Sequence, residues 1–197
     1  GSAAGNFFRL IRDVDLSGFD AVSFADQDDI WFPDKLSRAW EKISVDRIDA
    51  YSSNVIALWR DGSRKIINKA YPQKKIDYFF ESAGPGCTYV FSQKSFLFLK
   101  DFVIKNYNYL SVIEFHDWLV YAYFRSNNMR WFIDPRPSMY YRQHDKNKIG
   151  ANSGCGALVK RWHLVHKKWF RQQVQIIAQL VAPHRKEELS SRWFLLC

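Results

Sequence analysis

Three carboxylates fall within four residues, at Asp26, Asp28 and Asp29. Carboxylates packed this tightly repel one another, and each makes its neighbours harder to ionise. A positive charge should lie among them, and a hard divalent cation with oxygen ligands is the simplest source. A metal held there would favour a diphosphate ligand, because such cations bridge carboxylate and phosphate oxygens. The competing account is a solvated acidic turn or a capping cluster, since Asp favours helix starts. The setting argues against it. Phe19 to Ala25 reads as a buried strand, and Ile30-Trp31-Phe32-Pro33 follows the acids, which places them at a strand-to-helix junction. Open α/β sheets bind their ligands outside the carboxyl ends of strands.

A second group is Glu114-Phe115-His116-Asp117. Ser111 and Glu114 have the spacing of a capping box at the start of a helix over 111–126. That accounts for Glu114 but leaves Asp117 inside the helix, where Asp is a poor former. Beside His116 and Trp118, Asp117 is a candidate general base, and a surface salt bridge is its ordinary alternative. Gly84-Pro85-Gly86-Cys87 reads as a turn, or as a loop that lets backbone approach a ligand. His144 follows a strand pattern, and an imidazole there could complete a site otherwise built from oxygens.

The elements that must position these groups follow from periodicity. Apolar spacing predicts helices over 6–12, from Pro33 to Ile43, and over 93–107. Extended segments are expected at 49–59, 88–91, 131–134 and 138–141, with Asp61-Gly62 turning a hairpin toward 65–68. A short helix is expected over 76–81. Strands and helices alternate through the first 145 residues, the pattern of an α/β sheet faced by helices. Residues 144–154 read as a loop, and a basic amphipathic helix is expected from 156 to about 181, ended by Pro183.

The chain has 197 residues with 47% hydrophobic and 25% charged content, the balance of a folded domain. No apolar run reaches the ~18 residues needed to span a bilayer. Three widely spaced cysteines, Cys87, Cys155 and Cys197, suggest neither a disulfide framework nor a zinc site, and fit a reducing compartment. Aromatic residues reach 17%, which raises the prospect of stacking surfaces for sugars, nucleotides or membrane. Of the net charge of +9, residues 151–197 carry +6. Lys160, Arg161, Lys167, Lys168 and Arg171 mix there with Trp162, Trp169 and Phe170. That composition suits either an interfacial helix on anionic lipid or a stripe packed on the domain.

The ordered motifs Phe24-Ala25-Asp26-Gln27-Asp28-Asp29-Ile30-Trp31-Phe32-Pro33-Asp34-Lys35-Leu36, Gly84-Pro85-Gly86-Cys87-Thr88, His116-Asp117-Trp118 and Tyr141-Arg142-Gln143-His144 resemble glycosyltransferase family 2. They are most similar to its bacterial rhamnosyltransferase-like branch, which builds cell-surface polysaccharide. The resemblance covers roughly residues 5 to 150 and implies a partial GT-A fold, a Rossmann-like α/β nucleotide-sugar domain over 1–150. A basic amphipathic helical tail over 151–197 would follow it. It implies an inverting transferase that uses a nucleotide-sugar donor such as dTDP-rhamnose and a saccharide or lipid-linked saccharide acceptor. Asp26, Asp28, Asp29, Gly84, Gly86 and Cys87 would bind the donor. Asp28 and His144 would hold Mg2+ or Mn2+, and Asp117 would be the base. Trp31, His116 and Trp118 would flank the acceptor. The location implied is cytoplasmic, with the tail offered to the inner face of the plasma membrane and no nucleic-acid partner.

Members of this family open with an apolar strand, a Thr-Tyr-Asn-type loop and a strand ending Asp-Asp-Gly-Ser. Those elements have no counterpart here, so weak or no turnover is expected of these 197 residues alone. The main rival is a non-catalytic carbohydrate-binding remnant at a membrane surface. A metal-dependent phosphoesterase would want a second cluster of His and Asp ligands. A nucleic-acid binder would want a recognisable motif beyond basic charge.

Overall fold

A computed structural model describes residues 2–143 and 169–183. Two four-stranded sheets carry the domain, each mixing parallel and antiparallel pairs. The first has the order β1 (Ala21–Ser23), β6 (Val90–Ser92), β3 (Ala50–Ser53) and β7 (Trp131–Asp134). The second has the order β2 (Ile30–Trp31), β8 (Met139–Arg142), β4 (Val55–Leu58) and β5 (Arg64–Ile67). The α/β class expected from the alternating pattern is the class observed.

The chain passes from the first sheet to the second three times. β1 leads to β2 through the acidic residues, β3 to β4 through Asn54 alone, and β7 to β8 through the Pro135–Pro137 turn. The last two crossings are laced together. Asn54 N–H donates to the Asp134 carbonyl at 3.0 Å, and Ser138 N–H donates to the Asn54 carbonyl at 3.2 Å. The hydroxyls of Ser53 and Ser138 lie 2.6 Å apart. The Asn54 side chain is a hub: its amide donates to the carbonyl of Pro135, and its oxygen accepts from the backbone of Lys69 and Ala70. Buried polar groups must be paired, and these pairs fix where each strand bends from one sheet into the other.

Helices α1 (Ala3–Asp13), α3 (Gln93–Asn106) and α4 (His116–Ser126) pack with the first sheet around one core. Serine caps start two of them: Ser2 Oγ accepts from Gly5 N–H, and Ser92 Oγ accepts from Ser95 N–H. Helix α2 (Lys35–Val45) buries Ala39 and Ile43 against a smaller cluster, while Trp40 of its predicted apolar face is left exposed. The high aromatic content goes largely into the core. Trp131 meets the rings of Tyr89, Tyr121, Phe91 and Phe124 edge-on with centroids 4.7–6.0 Å apart, the favoured geometry for aromatic pairs.

Three boundaries differ from expectation. The strand expected over Phe19–Ala25 is a three-residue, half-buried strand at one edge of the first sheet rather than a buried one. The strand after the glycine loop starts later, at Val90, because Gly86–Thr88 closes a 3-10 turn. The capping box at Ser111 does not form. Residues Tyr107–Val112 wind as 3-10 helix, and α4 begins only at His116. The Glu114 carboxylate instead accepts from the Trp169 indole at 2.6 Å.

Within the expected basic tail, the described part is α5 (Trp169–Val181). Its apolar stripe of Val174, Ile177 and Ala178 is buried in the main core, so this part packs on the domain. Residues 156–168, His144, Cys155 and Cys197 lie outside the described residues.

Candidate functional site

The acidic loop joins the two sheets between β1 and β2. Phe24 anchors its start, donating its N–H to the Tyr89 carbonyl at 2.9 Å. Asp26 and Asp29 turn inward toward Cys87, and their carboxylate oxygens and the thiol lie within 4.8 Å of one another. Both Asp29 oxygens are buried and meet no hydrogen-bond partner of good geometry among the described residues. Burial pushes the Asp29 carboxyl up to about 6, and burial with the charge of Asp28 raises Asp26.

The positive charge that three crowded acids call for is present in the chain itself. Lys35, at the first position of α2, is 1% exposed. Its ammonium donates to the Cys87 carbonyl at 2.9 Å, reaches Ser23 Oγ at 3.5 Å and lies 3.3 Å from the centre of the Trp31 ring. Burial lowers its pKa to about 8, while Cys87, Asp29 and Asp26 act to keep it charged. Sequence reasoning named only a metal here and missed Lys35. The available signal was a lysine at the start of a helix whose second turn carries the apolar stripe.

The glycine loop connects this cluster to α4. Gly84 has φ +116°, a conformation that side-chain-bearing residues rarely adopt. A Cβ added to Gly86 would lie 2.5 Å from His116 Nε2 and 3.2 Å from Asp117 Cβ. Backbone therefore passes close against the start of α4, and the imidazole face stacks on Phe7 with ring centres 3.8 Å apart. Asp117 occupies the first turn of α4, not its interior, and its Oδ1 accepts the Trp118 N–H at 2.9 Å. Asp in a first turn is favoured by the helix dipole, which gives it an ordinary structural role as well. Burial nonetheless pushes its carboxyl up to about 6, against the Trp118 N–H and the Ser82 hydroxyl. That value suits a base working near neutral pH.

Asp28, unlike Asp26 and Asp29, borders a cleft of about 370 Å3, which it lines with Leu58, Trp59, Arg60, Arg142 and Gln143. β4 and β8 run parallel with Leu58 opposite Arg142, so the cleft opens where both strands end. Gln143 N–H donates to the Leu58 carbonyl at 2.9 Å and holds the two ends together. Two guanidiniums and an indole beside a carboxylate can accommodate an anionic, ring-bearing ligand. None of Trp59, Arg60 and Arg142 was singled out as a site residue from sequence, because only the pairing of β4 with β8 brings them to Asp28. The next residue along, His144, is outside the described residues.

The structure thus brings Asp26, Asp29, Gly86, Cys87, His116 and Asp117 into one contiguous patch, with Asp28 on an adjoining cleft. Trp31 lies under Lys35 and packs beside Val55, Cys87 and Met139. Trp118 is 5% exposed, donates its indole N–H to the Tyr78 carbonyl and stacks on Phe170. Its ring belongs to the core rather than to an open acceptor surface.

No protein-family profile matches the chain. It is similar to dTDP-rhamnosyl transferase RfbG of Shigella flexneri. The identity is 46% over 182 residues, which cover 92% of this chain. The chain spans 63% of the length of that relative. Among the described residues, no helix is long and apolar enough to cross a membrane.

Proposed function

We propose that the chain is part of a family 2 glycosyltransferase of GT-A fold, which transfers rhamnose from dTDP-rhamnose, with inversion, to a saccharide or lipid-linked saccharide. The observation that carries this reading is the junction at Gly86. Gly86 meets Asp117 and the adjoining Cys87 meets Asp26 and Asp29 of the acidic loop, in a chain 46% identical to a protein named for dTDP-rhamnosyl transfer.

Asp117 serves as the base. It takes the proton of the acceptor hydroxyl as the oxygen bonds to the anomeric carbon, while the bond from that carbon to the diphosphate oxygen breaks and its electron pair leaves with the diphosphate. One base on one face and charge stabilisation on the other is what inversion needs. Arg60 and Arg142 border the cleft at Asp28, where they would offset the charge growing on the leaving group. Asp28, the acid of the three that lines the cleft, fits a hard cation in its donor chemistry, with His144 as a further ligand. Asp28 would hold Mg2+ or Mn2+ there, and the cation would supply positive charge toward a developing diphosphate anion. His116, stacked on Phe7 and close against Gly86, keeps the start of α4 fixed and borders the acceptor side.

Calorimetric titration with dTDP in the presence of Mn2+ tests the reading. Metal-dependent binding that Asp28→Asn weakens at least tenfold is expected. Binding of dTDP that is absent, or indifferent to both metal and Asp28, overturns it.

A further inference from the structure

We propose that Lys35 is a positioning residue. Its ammonium is the resident counter-ion of the acidic loop, and it fastens Asp26 and Asp29 to the glycine loop so that Asp28 alone is left to the cleft. This deepens the transferase reading and takes the cleft at Asp28 as its site.

Four segments converge on one ammonium. Ser23 ends β1, Trp31 ends β2, Cys87 belongs to the glycine-loop turn, and Lys35 itself opens α2. The residue that gives Lys35 its carbonyl is the residue whose thiol lies within 4.8 Å of the Asp26 and Asp29 carboxylate oxygens. A buried ammonium with only a carbonyl, a long contact to a hydroxyl and a ring is poorly compensated, and so is the Asp29 carboxylate, whose interactions with the Cys87 thiol and the Arg142 backbone fall short of good hydrogen-bond geometry. They meet across Cys87, whose carbonyl takes the ammonium and whose thiol faces the two carboxylates, and the acids act on the ammonium through space, so removing one leaves the other less compensated. Two oxygens and a thiol at this spacing would otherwise suit a borderline or soft metal ion. The ammonium takes that role, which directs a hard cation to Asp28 on the open side.

The whole 197-residue chain, carrying Cys155→Ser and Cys197→Ser, leaves Cys87 as its one thiol and allows a direct test. Cd2+ titration of this protein should give no cadmium–thiolate absorption while Lys35 is present. Lys35→Met, of similar length, should create that absorption at one equivalent of Cd2+. A packing role for the lysine stem would not change the spectrum. Absorption with Lys35 in place, or none after Lys35→Met, overturns the proposal. Thermal unfolding of Lys35→Met, Asp29→Asn and the double variant reads the same coupling. The double variant should melt above the sum of the two single shifts, and additive shifts overturn it. Should Lys35→Met alone not fold, recovery of the fold by adding Asp29→Asn supports the pairing, and failure to recover overturns it. None of these readouts uses a nucleotide, so loss of dTDP binding in the unaltered chain would sink the transferase reading without touching this one.

Discussion

At the residue scale, the decisive property is burial of acids that an extended chain would leave in water. Asp117 has its carboxyl raised to about 6, so the folded state binds a proton there that the unfolded chain has already lost between about pH 4 and 6. The folded state holds more protons in that window, so this residue's contribution to stability falls as pH rises through it. Base catalysis needs the ionised form, so activity should move the other way. If the proposed transferase reading holds, the pH profile of kcat/KM has an acid limb near 6, and Asp117→Asn should lower kcat at least a hundredfold while leaving the melting temperature unchanged or higher. An Asn variant that keeps full activity removes Asp117 from the mechanism. Gly86 supplies a steric counterpart. Gly86→Ala would drive its methyl against an imidazole already stacked on Phe7. Overpacking of this kind costs about 1–3 kcal/mol, and chemical denaturation should read that loss together with a fall in kcat.

At the element scale, the site lies where the chain crosses from one sheet to the other. The crossings at Asn54 and at Pro135–Pro137 are fixed by paired polar groups, and they set the ends of β4 and β8 that open the cleft. Asn54 is 3% exposed and both ends of its side chain are engaged. Asn54→Ala strands the backbone N–H of Lys69 and the Pro135 carbonyl, at about 1–3 kcal/mol for a buried unpaired group. Denaturant unfolding should show that cost, with weaker ligand binding at the cleft. Helix α5 acts on the other side of the site. Gln173 accepts from Glu114 N–H and donates to the Val112 carbonyl, clasping the turn just before Asp117. Ile177, fully buried beneath it, should cost about 2–5 kcal/mol when cut to Ala. The capping box was misread in the sequence for this reason: Glu114 has a partner 55 residues away, which no local pattern reveals.

At the scale of the whole molecule, charge and core have separate addresses. The described apolar stripe of α5 is buried, so that stripe is not offered to lipid, and the basic charge of residues 151–197 is what a lipid surface would meet. Binding to anionic vesicles is expected to exceed binding to neutral ones and to weaken as salt rises. Co-sedimentation that ignores lipid charge removes the membrane from the account.

Composition and periodicity by themselves determined the α/β class, the helix expected over 93–107, the described end at 169–181 of the helix expected from 156, the Asp61-Gly62 hairpin and the four motifs. Each of these is written in local spacing: a period of 3.6 or 2, a turn dipeptide, acids in a row. The tertiary structure alone decided which way each acid faces. Asp26 and Asp29 turn to Cys87 of the glycine loop, while Asp28 lines a cleft with Arg60, just past β4, and Arg142, at the end of β8, 32 and 114 residues away in sequence. Such choices depend on pairing between distant segments and on the cost of burying charge, and neither quantity exists until the chain has closed on itself.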